Sequence, residues 1–160
     1  DHSDTMGWRD FGWIQIFSEN AQEAYDNLLQ AVKISENTKV LLPSMVTTDG
    51  FIISHCMEKI EIFEDAEVQK YIGEKNAPYS ILDVDNPQTV GLIDLQDYYF
   101  EHKLQAIDAM KASKDVILEV GKDFGKKFGR SYSFFEEYRL DDAEGSFCVD
   151  AIRLVCLAVR

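Results

Sequence analysis

"GWIQIFSENAQEAYDNLLQAVKISENTKVLLPSMVTTDG", Gly12 to Gly50, is the stretch on which the fold turns. It opens on a β-branched and aromatic run, Gly12 to Phe17, of strand length. Then the period changes. Ala24, Leu28, Ala31 and Ile34 recur at helical spacing, Ser18 or Asn20 can cap the helix, and Glu23 places charge in its first turn. Asn37 offers a left-handed stop, and Val40 to Val46 is a second apolar run leading into Thr47-Thr48-Asp49-Gly50. Strand, helix and strand in about forty residues make a βαβ unit, which requires a parallel sheet covered by helices.

On the amino-terminal side the chain begins "DHSDTMGWRDFGWIQ", with Asp1, His2, Asp4, Arg9 and Asp10 crowded together. On the other side the pattern weakens from Glu58 to Asp97. "EKIEIFEDAEVQKYIGEK" suggests a short strand and a helical turn or two, and "NAPYSILDVDNPQTVG" an extended connector punctuated by Pro78, Pro87 and Gly91. So long a connector usually packs across a neighbouring subunit or domain. The longest helix is expected from about Tyr98 to Phe128, with Leu104, Ile107, Met110, Ile117, Val120, Phe124 and Phe128 as its core stripe and Gly129 as its stop. "YRLDDAEG" (Tyr138 to Gly145) reads as a polar linker and "SFCVDAIRLVCLAVR" as a strand-like apolar segment with nothing to pair it. Both ends of the sequence read as cuts through a longer chain.

The 160 residues suit one domain, or most of one with a piece of another, and 46% hydrophobic content is too high for a disordered chain. No apolar run approaches the roughly 18 residues of a membrane span. The net charge of −13 argues against nucleic acid and anionic membranes, both of which select for clustered Lys and Arg. It serves solubility, or an acidic face that docks a basic partner. Cys56, Cys148 and Cys156 form no metal-ligand spacing, so the reading is reduced thiols in a cytoplasmic protein that holds no iron–sulfur cluster of its own.

Of the three histidines, His102 reads as a solvated helix residue, whereas His2 and His55 sit in polar loops. Parallel α/β sheets bind ligands beyond the carboxyl ends of their strands, which would present Asp49, Ser54 and His55 near such a rim. A Ser54–His55–Asp49 triad lacks a GxSxG elbow and sets Ser and His side by side. A metal set of His2, Asp4 and His55 has no recognised spacing, and no Gly-rich phosphate loop exists. The residues alone thus leave two readings: an α/β enzyme fragment of open chemistry, or a non-catalytic acidic α/β binding module.

Five blocks in order narrow this: "DHSDTM" with "RDFGWIQ", "ENAQEAYDNLLQA", "LLPSMVTTDGFIISH" and "FGRSYSFFEEYRLDDAE". From Asp1 to about Glu144 they resemble the α subunits of the 2-oxoacid:ferredoxin oxidoreductases, most closely the pyruvate synthase (pyruvate:ferredoxin oxidoreductase) branch. The resemblance implies an α/β fold with a doubly wound, mostly parallel sheet, part of a thiamine diphosphate pyrimidine-binding domain. It implies residues 1–138 as the carboxyl-terminal part of that domain, and 139–160 as a linker and the first strand of a transketolase C-terminal-like domain. The activity implied is oxidative decarboxylation of pyruvate to acetyl-CoA, or its reverse, with another 2-oxoacid (branched-chain or oxalate) as alternative. Thiamine diphosphate and Mg would be shared with a β subunit carrying the pyrophosphate-binding domain. Iron–sulfur clusters would reside in partner subunits only, with ferredoxin, coenzyme A and the 2-oxoacid as further partners. The catalytic base is expected upstream of Asp1. His2, Asp4 and Arg9 match the family's loop near the active-site mouth, and Asp49, Gly50, Ser54 and His55 its "DGF..SH" signature, at an interface or fixing a loop; Gly50 would permit a turn with positive φ. After Glu144 the sequence keeps the apolar character of the family's next strand but not the Gly-Ser turn that follows that strand.

Overall fold

A computed structural model describes residues 2–138, 140–141, 145–150 and 154–159, with side chains for 4–137, 140 and 141. The βαβ unit is present. Strand β1 (Ile14–Ser18), helix α1 (Ala21–Ser35) and strand β2 (Ser44–Thr48) follow one another, and β1 pairs parallel to β2 from Ile14 opposite Ser44 to Ser18 opposite Thr48. Asn20 is the helix cap, its side chain accepting the Glu23 N–H at 2.9 Å. Ser18 has another use: its hydroxyl accepts the Asn27 amide at 3.0 Å inside the protein.

Three local expectations change. Helix α1 ends on Glu36 in a right-handed conformation, and the positive φ falls on Leu41 (φ 48) instead of Asn37. The second strand begins at Ser44, beyond Pro43, while Val40 and Leu42 turn into the core. Leu28 is 56% exposed, and the helix buries Glu23, Asp26, Asn27 and Gln30 beside Leu29, Ala31 and Ile34.

Between Glu58 and Asp97 only helix α2 (Asp65–Ile72) forms; the expected short strand is absent among the described residues. Residues 58–63 instead line the start of α1, with the Glu61 N–H bonded to Gln22 at 2.6 Å and the Ala21 N–H to Glu58 at 2.7 Å. Helix α3 (Tyr99–Phe128) spans 30 residues, about 45 Å of helix. Gly129 closes it at φ 82, a left-handed position that glycine occupies without strain. Its carboxyl-terminal half buries Ser113, Val116, Val120 and Phe124 against Ile14, Ile34, Val40, Leu42 and the aromatic group of Tyr71, Phe63 and Phe128. Leu104 and Ile107, expected in the core, are more than 40% exposed, because the α3 residues packed on the core clusters start only at Ala109.

The last segment is a hairpin, not one unpaired strand. Strand β4 (Gly145–Asp150) runs antiparallel to β5 (Leu154–Val159), whose other edge pairs parallel with β3 (Glu136–Tyr138). Glu144 and Asp142 lie outside the described residues, as do the side chains of Cys148 and Cys156. The described strands form two sheets, β1-β2 and β3-β5-β4.

Burial raises the pKa of the Tyr71 and Tyr132 phenols above the ordinary value near 10, helped by the nearby Asp123 and the Asp26 bond respectively. The folded state therefore favours both neutral phenols. That stabilisation is complete below about pH 10 and disappears as pH climbs from there toward the folded-state values. Denaturant unfolding should thus be flat from pH 7 to about 9.5 and weaken above 10, by up to about 1.4 kcal/mol per pH unit for each phenol. Tyr71→Phe should halve that slope.

Candidate functional site

In a parallel pair both carboxyl ends point the same way, so Ser18 and Thr48 mark one rim. There a cavity of about 390 Å³ is lined by Asp4, Thr5, Phe17, Thr47, Thr48, Asp49 and Gly50. Its far wall is a 3-10 helix, His2–Phe11, held over β1 by a bond from the Gln15 amide to the Thr5 carbonyl at 2.8 Å. Asp4 and Asp49, 45 residues apart in sequence, thus face one space. The lining offers two carboxylates, three threonine hydroxyls and one aromatic ring, and no cationic side chain. Such a wall accepts hydrogen bonds from amines and hydroxyls and repels phosphate.

Arg9, Ser54 and His55, also singled out from sequence, are not among this cavity's lining residues. The loop after β2 places its positive φ on Phe51 (φ 72), one residue beyond Gly50. For a bulky residue that is a strained conformation, costing on the order of 1–3 kcal/mol, and such strain clusters at functional sites. Ser54 sustains it: its hydroxyl accepts the Phe51 N–H at 2.9 Å and lies 2.7 Å from His55 Nδ1, while the His55 ring stacks on Phe51 at 5.2 Å. Ser54 and His55 thus both contact Phe51, which is left 77% exposed. Arg9 is exposed and paired with its neighbour Asp10 at 3.5 Å. The side chain of His2, and all of Asp1, lie outside the described residues.

One group that the sequence reading missed is the most buried ionic site of the described residues. Asp26, 0% exposed, receives Arg130 Nε at 2.6 Å and Nη2 at 3.0 Å, the Tyr132 hydroxyl at 2.7 Å and the Gln22 amide at 3.1 Å. The guanidinium also reaches Glu61 at 3.3 Å and covers the Phe63 ring at 5.0 Å. Hydrogen bonding to Asp26 raises the pKa of Arg130 still further. The available signal was the polar set Glu23, Asp26, Asn27 and Gln30 at helical spacing, which marks a buried polar face in want of a distant partner.

A βαβ unit with a cavity at its carboxyl rim is an α/β domain of the kind whose open sheets hold ligands at that end. The chain belongs to the family described as pyruvate flavodoxin/ferredoxin oxidoreductase, thiamine diphosphate-binding, which matches residues 1–122. It is 51% identical over 144 residues to the pyruvate synthase subunit PorA of Thermotoga maritima, covering 90% of this chain and 37% of that protein. The PorA of Pyrococcus abyssi is 43% identical over 90% of the chain and 36% of its own length. The ketoisovalerate oxidoreductase subunit VorA of Pyrococcus abyssi is 36% identical over 92% and 37%. The chain thus spans well under half the length of these relatives, and the resemblance read from the five blocks is borne out at the level of family.

Proposed function

We propose that this chain forms one wall of a thiamine diphosphate site in an enzyme that decarboxylates pyruvate oxidatively to acetyl-CoA, or makes pyruvate by the reverse reaction, with ferredoxin as electron carrier. The rim cavity carries this reading, because it lies where open α/β sheets hold ligands, in a chain of a thiamine diphosphate-binding family. Its lining fits the aminopyrimidine end of the cofactor. Carboxylates and hydroxyls accept N–H bonds from such a ring and Phe17 offers an apolar surface, whereas Asp4 and Asp49 repel a diphosphate. The diphosphate and its Mg would be held by a β subunit carrying the pyrophosphate-binding domain. When bound, thiamine diphosphate supplies the carbanion chemistry of decarboxylation. Asp4 and Asp49 would orient the ring, with His2 and Arg9 at the mouth. Ser54 and His55 would hold the loop that presents Phe51, with Gly50 behind it, to the adjoining domain or subunit. The catalytic base would come from chain upstream of Asp1, and the iron–sulfur clusters from other subunits of a cytoplasmic complex.

One further observation supports the finer fold reading. A slot of about 290 Å³ touches Ile14, Gln15, Ile16 and Phe17 in succession, with Tyr132, Ser133 and Phe134 also in its lining. Successive strand residues face opposite sides, so the slot follows an edge of β1, where a further strand would extend the sheet toward a doubly wound one. In this reading residues 1–138 end the pyrimidine-binding domain and 139–160 begin a transketolase C-terminal-like one. The greater identity to the pyruvate synthase subunits, 51% against 36%, favours pyruvate over a branched 2-oxoacid.

The test is Asp49→Ala, alone and with Asp4→Ala, in the full-length protein assembled with its partner subunits. A hydrogen bond to a charged group contributes about 1.5–3 kcal/mol, so the thiamine diphosphate concentration giving half-maximal pyruvate oxidation should rise roughly tenfold or more. The KM for ferredoxin should not move. An unchanged cofactor requirement would overturn the assignment.

A further inference from the structure

The amino ends of the strands carry a second surface, remote from the rim. Residues 75–79 lie against Ser35, Glu36, Leu41 and Leu42, just ahead of β2, and Lys103 of α3 donates to the Asp10 carbonyl, just ahead of β1, at 2.6 Å. From there residues 74–98 run as an irregular arm whose Tyr79, Ile81, Leu82, Val84, Val90 and Ile93 are between 71% and 87% exposed. Free apolar patches of this kind mark interaction sites. The arm is nonetheless shaped. Asp83 accepts the N–H groups of Asp85 and Asn86 at 3.1 and 3.2 Å, closing a turn. Asp94 binds His102 of α3 at 2.6 Å, and Lys75 pairs with Glu36 at 3.7 Å. A preshaped segment loses less entropy on docking than a free one.

Charge selects the occupant. Between Glu74 and Glu101 stand six carboxylates and one lysine, within a chain of net charge −13. The same 160 residues of a second copy, or an anionic lipid surface, would bring like charge against the arm. We propose that the arm docks into an apolar groove rimmed by Lys and Arg on a different polypeptide, at the end of the sheet opposite the rim cavity. The carboxylates set register and rate of encounter, and the apolar side chains fill the groove. This does not depend on the thiamine diphosphate reading.

The experiment places benzoylphenylalanine at Tyr79, and separately at Ile93, in the full-length protein within its purified native assembly, and maps the photo-adducts by mass spectrometry. Adducts on a different polypeptide, in an apolar stretch flanked by Lys or Arg, are expected. Adducts on another copy of this chain, on its own remaining sequence, or nowhere would overturn the proposal. Charge reversal gives a second readout. Asp85→Lys with Asp97→Lys should weaken association with that polypeptide at least tenfold at low salt, and Asp85→Asn with Asp97→Asn should do so less. Equal affinity for all three proteins would also overturn it. Circular dichroism of each variant separates a lost fold from a lost contact.

Discussion

Replacing Asp26 by Ala in the full-length protein should cost about 3–5 kcal/mol of stability, read by denaturant unfolding, which is the largest single-residue effect expected away from the apolar core. The carboxylate is wholly buried and its four bonds come from the Arg130 guanidinium, the Tyr132 hydroxyl and the Gln22 amide. Removing it takes the acceptor from four hydrogen bonds and leaves a guanidinium, its side chain only 26% exposed, with the more exposed Glu61 as its carboxylate partner. Arg130→Lys should fail to restore stability, because a single ammonium cannot make the two parallel bonds at 2.6 and 3.0 Å. Tyr132→Phe, which removes one bond to the carboxylate, should cost less, about 1.5–3 kcal/mol. Asp26→Leu combined with Arg130→Met should lose less than the sum of the single changes, since two apolar side chains leave no unpaired charge. Additive losses would show that the pair does not act as a unit.

This buried pair also marks what could be read from the sequence. The βαβ unit was legible because its signals are local: a strand-length run, a helical period with Asn20 ahead of it, and a second apolar run before Asp49. Gly129 stopped the long helix for the same reason. Asp49 could be placed at a rim from the rule for parallel sheets, whereas Asp4 stood only as one of a crowd of polar residues until the resemblance put it near an active-site mouth, and folding sets the two around one cavity. Most of what escaped depends on distant chain. Asp26 looks like a solvated helix residue until Arg130, 104 positions on, turns toward it. Leu104 and Ile107 obey the helical period of a core stripe, yet period cannot say how far the body extends beneath the helix. The turn after β2 was expected at Gly50, but the Ser54 hydroxyl captures the Phe51 N–H and moves the strain by one residue. Distant chain decided the first two outcomes, and a side chain three residues on decided the third.

The second large effect is expected at Gly121, where Ala should destabilise the protein by about 2–3 kcal/mol although alanine is the better helix former. At an open helical site the exchange would stabilise by about 1 kcal/mol. Gly121 is not open. A Cβ there would overlap the Tyr132 carbonyl oxygen and stand 3.0 Å from its carbon, and a Cβ on Gly125, one turn later, would lie 2.8 Å from the Ser131 Cβ. These two glycines let residues 131–132 cross α3 at backbone distance. The crossing segment cannot give way cheaply, since its Tyr132 hydroxyl is held by Asp26 at 2.7 Å and the preceding Arg130 by the same carboxylate. Relief of the overlap must therefore pull on the buried ion pair, and the cost of overpacking exceeds the gain in helix propensity. Gly125→Ala should cost less, about 1–2 kcal/mol, because its overlap, 2.8 Å to the Ser131 Cβ and 3.1 Å to its Cα, is milder than the one at Gly121. If Gly121→Ala instead raised the unfolding midpoint, the crossing would be mobile, and the Asp26 cluster could not be the rigid joint between α1 and the segment after α3. Coupling between Gly121→Ala and Tyr132→Phe measures that joint directly. With the phenol bond already gone, the alanine should cost at least 0.5 kcal/mol less than it does in the unaltered protein, in line with the coupling seen between residues that share one network.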